Sequence, residues 1–283
     1  MSWLEPVSTV VTGASLAADV AKRSDAIFKF VKKCAYQARY GKVLLPVFGA
    51  GGVGKSTIGS VLSKGSSVPF SAYRESRENA SFELSGKFPG SALVVPGQIN
   101  RVERYWPDAF NKVNSGKALG VVNVVSYGYH SFSGMSYREH DGYVEGMGKS
   151  DFIGKYIEAR RLVELELLKR LIDGLSPVKR AFFMVTVISK QDLWWADRER
   201  VKSHYIDGEY DRIVSRLRDR VGHGNFQHEY VPCSLMHSNF IAGPREVLKD
   251  VSSGYDLALH ESYLSGFVSS ISGIALSHQG VKL

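Results

Sequence analysis

Hydrophobic and polar positions follow two alternating periods along most of the chain. Short, almost wholly apolar runs recur: VLLPVFG at 43–49, ALGVVNVVSYG at 118–128, RAFFMVTVISK at 180–190 and EYVPCSL at 229–235. All four read as strands, the last a short one, and those at 118–128 and 180–190 as buried strands. Between them, apolar residues return every three or four positions, as in a helix with one face on a core. These stretches are KSTIGSVLSK at 55–64, NRVERYWPDAFNKV at 100–113, DFIGKYIEARRLVELELLKRLIDGL at 151–175, RERVKSHY through RLRDRV at 198–221, and DLALHESYLSGFVSSI at 256–271. ASFELSGKFPGSALVVPGQ at 80–98 reads as two strands with Pro89-Gly90 as the breaker. Alternation of this kind predicts an α/β fold with a mainly parallel sheet and helices on both faces.

Upstream, residues 16–40 place Leu16, Val20, Ile27, Val31 and Cys34 near one face, with Lys22, Arg23, Lys32, Lys33 and Arg39 on the flanks or the other side. The expected organisation is a helical N-terminal extension over 1–40 and one α/β domain over 41–283. Two roles stand for the extension: packing on the domain, or contact with a membrane surface or a partner.

Composition narrows the classes. With 283 residues, 44% hydrophobic and 23% charged, the chain has the makings of a real core. The net charge of +8 suits anionic partners or plain solubility. The basic residues are dispersed, with no block of five or six, which argues against nucleic acid. Two cysteines, Cys34 and Cys233, make no disulfide framework. The opening MSWLEP lacks a basic n-region, and no apolar run nears the ~18 residues of a membrane span. The expected address is the cytoplasm.

The chemistry enters at Gly49-Ala50-Gly51-Gly52-Val53-Gly54-Lys55-Ser56, which fits GxxxxGK[ST] between a strand and a helix. Backbone N–H groups of such a loop wrap phosphates, and the helix N-terminus adds a favourable field. Lys55 is expected at the outer phosphates and Ser56 at Mg²⁺, with Thr57 next along. Ser189-Lys190-Gln191-Asp192 follows the strand at 182–188. Guanine carries two adjacent donors, N1–H and the 2-amino group, and the one carboxylate of Asp192 can accept both. Lys190 is placed to lie over the base plane.

This stretch resembles the [NT]KxD motif of Ras-like GTPases, with serine in the first position. Cys233-Ser234-Leu235 falls where that family has its CSA or SAK loop, whose contact to guanine is through backbone N–H, so Ser234 and Leu235 join the expected site. Val94-Val95-Pro96-Gly97-Gln98 stands where the family has DTAGQ. The resemblance implies that the Gly97 N–H meets the γ-phosphate and that Gln98 orients the attacking water. Val94 replaces the aspartate that usually holds the Mg²⁺ water shell. A PGQ ending without that aspartate is similar to the bacterial polarity-switch GTPases of gliding motility, which implies that hydrolysis can survive its loss. The resemblance runs from about Gly41 to the closing helix, and implies a P-loop GTPase-like three-layer sandwich that binds GTP or GDP with Mg²⁺ and acts as a slow molecular switch.

Further expectations stay open. The switch I hydroxyl has three candidates, Ser71, Ser76 and Ser81. An arginine acting in cis has four: Arg74, Arg77, Arg101 and Arg104. Residues 129–149, YHSFSGMSYREHDGYVEGMGK, are long for a connection and read as a partner-binding loop or a lid, with an effector or regulator meeting them and the switch loops. His130 and His140 fit no standard zinc spacing. Trp194-Trp195 would either shield the guanine or pack. Two alternatives compete with the GTPase: a pseudo-GTPase that holds nucleotide without turnover, and a P-loop ATPase, which the acid-free strand GVVNVVSYG disfavours.

Overall fold

The computed structural model describes residues 43–64, 78–84, 90–118, 120–132, 134–175, 177–243 and 246–277. The expected 1–40 extension, Ser71, Ser76, Arg74 and Arg77 lie outside the described residues.

Six strands form one sheet: β1 (Val43–Gly49), β2 (Ala80–Leu84), β3 (Gly90–Val94), β4 (Gly120–Val125), β5 (Phe182–Ile188) and β6 (Phe226–Pro232), in the order β2-β3-β1-β4-β5-β6. All neighbours run parallel except β2 with β3. Every residue of β4 and β5 is buried, as the continuous apolar runs demand of central strands covered on both sides. Pro46 sits inside β1, a central strand, although proline cannot donate to a ladder. The ladder toward β4 is interrupted there: Leu44 bridges Ala118, and pairing resumes only at Val47 with Val122.

The helices are α1 (Lys55–Lys64), α2 (Ile99–Asn114), α3 (Lys149–Gly174), a single turn α4 (Gln191–Trp194), α5 (Arg198–Ile206), α6 (Glu209–Val221) and α7 (Leu257–Ser277). Helix α1 packs on β1, β2 and β3, α3 on β1 and on α6, and α7 on β5 and β6. This is a P-loop GTPase-like α/β fold, with one antiparallel edge strand on a parallel sheet. Three details depart from the sequence pattern. The expected helical stretch at 198–221 is two helices, and at Gly208 between them the backbone lies so close to the His204 carbonyl that a Cβ would collide with it. The last strand begins earlier than expected, at Phe226. A small antiparallel ribbon, β7 (Phe240–Ala242) with β8 (Glu246–Lys249), lies between β6 and α7.

The parallel strands β1, β3, β4, β5 and β6 all deliver their following loops to one edge of the sheet. In open parallel sheets this carboxyl edge is where ligands bind.

Candidate functional site

The glycine loop leaves β1 at Gly49, whose φ of +132° is open to glycine and whose missing Cβ would collide with the Val124 carbonyl of β4. Helix α1 starts at Lys55, with Ile58 N–H donating to Gly54 O at 2.9 Å. The Lys55 side chain folds back over the loop, and its Nζ donates to Gly49 O at 2.9 Å and to Ala50 O at 2.6 Å. Burial pushes its pKa down to about 7. Gly97 presses on the same loop: Gly51 N–H donates to Gly97 O at 3.0 Å. A Cβ at Gly97 would strike Gly49 O and Lys55 Nζ, so only glycine allows this approach.

Gln98 holds the position just before α2, with no capping hydrogen bond from its side chain. Its Oε1 is buried with no hydrogen-bond partner among the described residues, and Gln98 lines the cavity beside the loop. Val94 closes β3 as a buried side chain, in register with Val47. Trp106 Nε1 donates to Pro96 O at 2.9 Å and fixes the intervening turn to α2.

On the other side of the cavity stands Ser189. Its Oγ lies 2.7 Å from Val53 O and 2.9 Å from Val125 O, tying this loop to the glycine loop. Lys190 takes the left-handed conformation, φ 57°, ψ 39°, an uncommon one for a side-chain-bearing residue. Its half-buried side chain, with a pKa lowered to about 7 by burial, puts the amine over the Phe240 ring. Asp192 is buried; Ser234 Oγ donates to its Oδ1 at 2.7 Å and Ser238 N–H to its Oδ2 at 3.0 Å. Burial raises its carboxyl pKa, and these two bonds oppose the rise. Leu235 packs over Gly54, with Cδ1 3.2 Å from where a Cβ there would stand.

These groups face one cavity of about 820 Å³. Of the sequence-predicted residues, Gly51, Gly52, Val53, Gly54, Lys55, Ser56, Thr57, Gly97, Gln98, Ser189, Lys190, Asp192, Ser234 and Leu235 line it; Gly49 does not, and acts one layer below. Ser81 is exposed on edge strand β2, and it, Arg101 and Arg104 are not among the lining residues. Trp194 is core, its Nε1 donating to Ser189 O at 2.7 Å, and Trp195 packs against Tyr255 and Tyr263; neither indole lines the cavity, so packing is their role.

Two walls of the cavity were invisible in the motifs. The loop after β4 contributes Ser131, Phe132 and Gly134, and the β7–β8 ribbon with its approach contributes Ser238 through Ile241 and Gly243. The two segments clasp each other: Gly243 N–H donates to Met135 O at 2.6 Å, Ser136 Oγ to Glu246 Oε2 at 3.0 Å and Lys249 Nζ to Tyr129 OH at 2.6 Å. Phe132 stacks on Tyr156, and the rings of Tyr129 and Phe240 meet edge to face.

Beneath this loop, Glu164 of α3 is fully enclosed. Its Oε1 accepts from Ser126 N–H at 2.8 Å and His130 Nε2 at 3.0 Å, and its Oε2 from Tyr205 OH at 2.8 Å. Burial alone would raise its pKa, but the bonds from His130, Ser126 and Tyr205 outweigh that and hold it below the usual range. Burial pushes the His130 pKa down, and the Glu164 carboxylate beside it opposes that. Among the described residues no cluster of His, Cys, Asp and Glu forms a metal site. Nor is any described helix long and apolar enough to cross a membrane.

No protein-family model matches the chain, and no curated protein matches it. Solved structures that match in fold include the mammalian SRP receptor, with a TM-score of 0.40 and 14% identity over 68% of this chain and 91% of that one. At that distance the likeness says nothing about chemistry.

Proposed function

We propose that the chain is an atypical Ras-like guanine-nucleotide switch that binds GTP with Mg²⁺ and slowly hydrolyses it to GDP. The observation that carries this is the shared cavity, with the loop Gly51–Thr57 at one part of its wall and the doubly hydrogen-bonded Asp192 carboxylate at another. Backbone N–H groups of the loop and the Lys55 ammonium would hold the phosphates. The Asp192 carboxylate would take the N1–H and 2-amino donors of guanine, and the Lys190 stem would lie along the base. The Gln98 amide, with a buried carbonyl oxygen lacking a partner among the described residues, is suited to accept from the water that attacks the γ-phosphorus in line.

Mg²⁺ suits this arrangement in one respect: Ser56 lines the cavity at the start of α1 and offers a hydroxyl. Mg²⁺ keeps several waters and takes its other ligands from phosphate, so few protein ligands are needed. When bound, it would neutralise charge on the phosphates. A PGQ turn following Val94 rather than an aspartate is the feature shared with the polarity-switch GTPases of gliding motility. Residues 41–283 would form the G domain and 1–40 the helical extension, with effectors meeting the switch loops and the exposed part of 129–149.

Val94 also favours a second reading, a pseudo-GTPase that binds without turnover. One experiment separates the cases. Calorimetric titration of GDP, GTP, ADP and ATP with Mg²⁺, on the whole chain and on 41–283, is expected to give guanine-selective binding in both. Phosphate release from GTP above the buffer rate is then expected; its absence would leave the pseudo-GTPase. Equal affinity for adenine nucleotides would remove Asp192 as base reader.

A further inference from the structure

Building on the guanine-nucleotide reading above, we propose that Ser131 is a positioning residue that locks the base-reading lysine to the phosphate-binding loop. Ser131 belongs to none of the recognised motifs, yet it touches both nucleotide-reading loops. Its backbone N–H donates to Gly52 O at 3.1 Å, and its Oγ accepts from Lys190 Nζ at 2.8 Å. The fit on the first side is close: a Cβ on Gly52 would stand 2.7 Å from Ser131 N. On the second side, Ser131 Oγ is the only hydrogen-bond acceptor of the Lys190 ammonium among the described residues.

The seat of Ser131 is rigid for reasons already on the molecule. Glu164 gathers Ser126, His130 and Tyr205 into one buried hub. Tyr156 OH donates to His130 O at 2.8 Å, one peptide before Ser131. The β4 loop is therefore held to α3 from below and to the glycine loop from the side. A buried ammonium goes where its acceptor is, because an unmatched charge in such surroundings is costly. With the Lys190 backbone confined to a left-handed turn, the position of its amine fixes the line of its stem. That stem is the surface offered to the base. Ser131 thus sets its pose from outside the base motif.

The test is GDP affinity, by calorimetry with Mg²⁺, of the full chain and four variants: Ser131→Ala, Ser131→Thr, Lys190→Met and the double variant Ser131→Ala/Lys190→Met. Lys190→Met keeps a stem and removes the charge. Loss of one charge-assisted hydrogen bond predicts about tenfold weaker GDP binding for Ser131→Ala. Ser131→Thr restores it, and the double variant binds no more weakly than Lys190→Met alone. Ser131→Ala still unfolds cooperatively without nucleotide, at a lower midpoint because the Lys190 amine has lost its acceptor. Wild-type affinity in Ser131→Ala, or a further loss when it is added to Lys190→Met, would overturn the proposal, the latter because the effect then bypasses the lysine. Failure of the unaltered chain to bind GDP at all would instead sink the nucleotide reading, and this proposal with it.

Discussion

Lys55 and Lys190 are two buried amines whose pKa values burial lowers from 10.5 to about 7. Between pH 7 and 10.5 the unfolded chain keeps protons on both that the folded protein has shed. Folding stability therefore rises with pH across that window as far as these two groups go. Nucleotide acts with the opposite sign. Phosphate favours the charged form of Lys55, so binding at pH 8 draws a proton onto it. We expect GDP titrations at pH 8, in two buffers of different ionisation enthalpy, to show net proton uptake, reduced in Lys55→Met. An unchanged proton count in that variant would mean that Lys55 does not meet phosphate. Much of the residue-level site was legible in sequence because GxxxxGK[ST] states a backbone requirement in residue types: glycines at Gly49, Gly52 and Gly54 all have positive φ. The Ser189 substitution was harder to judge. Its hydroxyl is short, and only the closeness of Val53 O and Val125 O reveals that it reaches the glycine loop.

Among the elements, the β7–β8 ribbon is the one that local pattern did not disclose. Its sequence, FIAGPREVLK, has a Gly-Pro breaker between apolar positions, a hairpin signal. Its role was hidden because its partners are remote: Ser136 and Glu246 are 110 residues apart. The loop at 129–149, in contrast, was marked by its length alone, and its rings turn inward on α3 and β7 rather than waiting for a partner. Together the loop and ribbon wall the cavity on the side of Asp192 and Lys190. Breaking the clasp with Glu246→Ala and Lys249→Met removes two of its polar ties, each worth about 1 kcal/mol. GDP should then dissociate several-fold faster in a chase with fluorescently tagged nucleotide. An unchanged rate would show that nucleotide leaves without parting the loop from the ribbon.

For the whole molecule, the buried Glu164 joins the end of β4, helix α3 and helix α5 through Tyr205. Its spacing from Tyr156, Leu167, Leu168 and Leu171 puts Glu164 on the buried stripe of α3, but its partners Ser126, His130 and Tyr205 are remote in sequence, so the hub itself leaves no local signature. Glu164→Gln keeps the shape and removes the charge that five groups point at: the Ser126 N–H and Oγ, the Gly128 N–H, His130 Nε2 and the Tyr205 hydroxyl. A cost of about 3 kcal/mol is expected from disrupting a buried hydrogen-bonded network of this kind, measured by urea unfolding at pH 7. The penalty should shrink at acid pH. Glu164 is held below its usual range, so its contribution is lost as pH falls through its folded-state pKa. An equal penalty at pH 7 and at acid pH would show that shape rather than charge is what the hub requires.

The order of the strands has a consequence for synthesis. Strand β1 lies between β3 and β4 and carries the glycine loop, but the Asp192 carboxylate, proposed to read the base, follows β5, and its support from Ser234 and Ser238 follows β6. A ribosome that has released the chain only as far as β4 has delivered the glycine loop and none of the end that holds Asp192. Chains emerge at roughly 5–20 residues per second, so this half-built interval lasts several seconds. On the guanine-nucleotide reading proposed above, nucleotide would be gripped at both ends, and so secure the fold, only once residues up to Ser238 have left the exit tunnel.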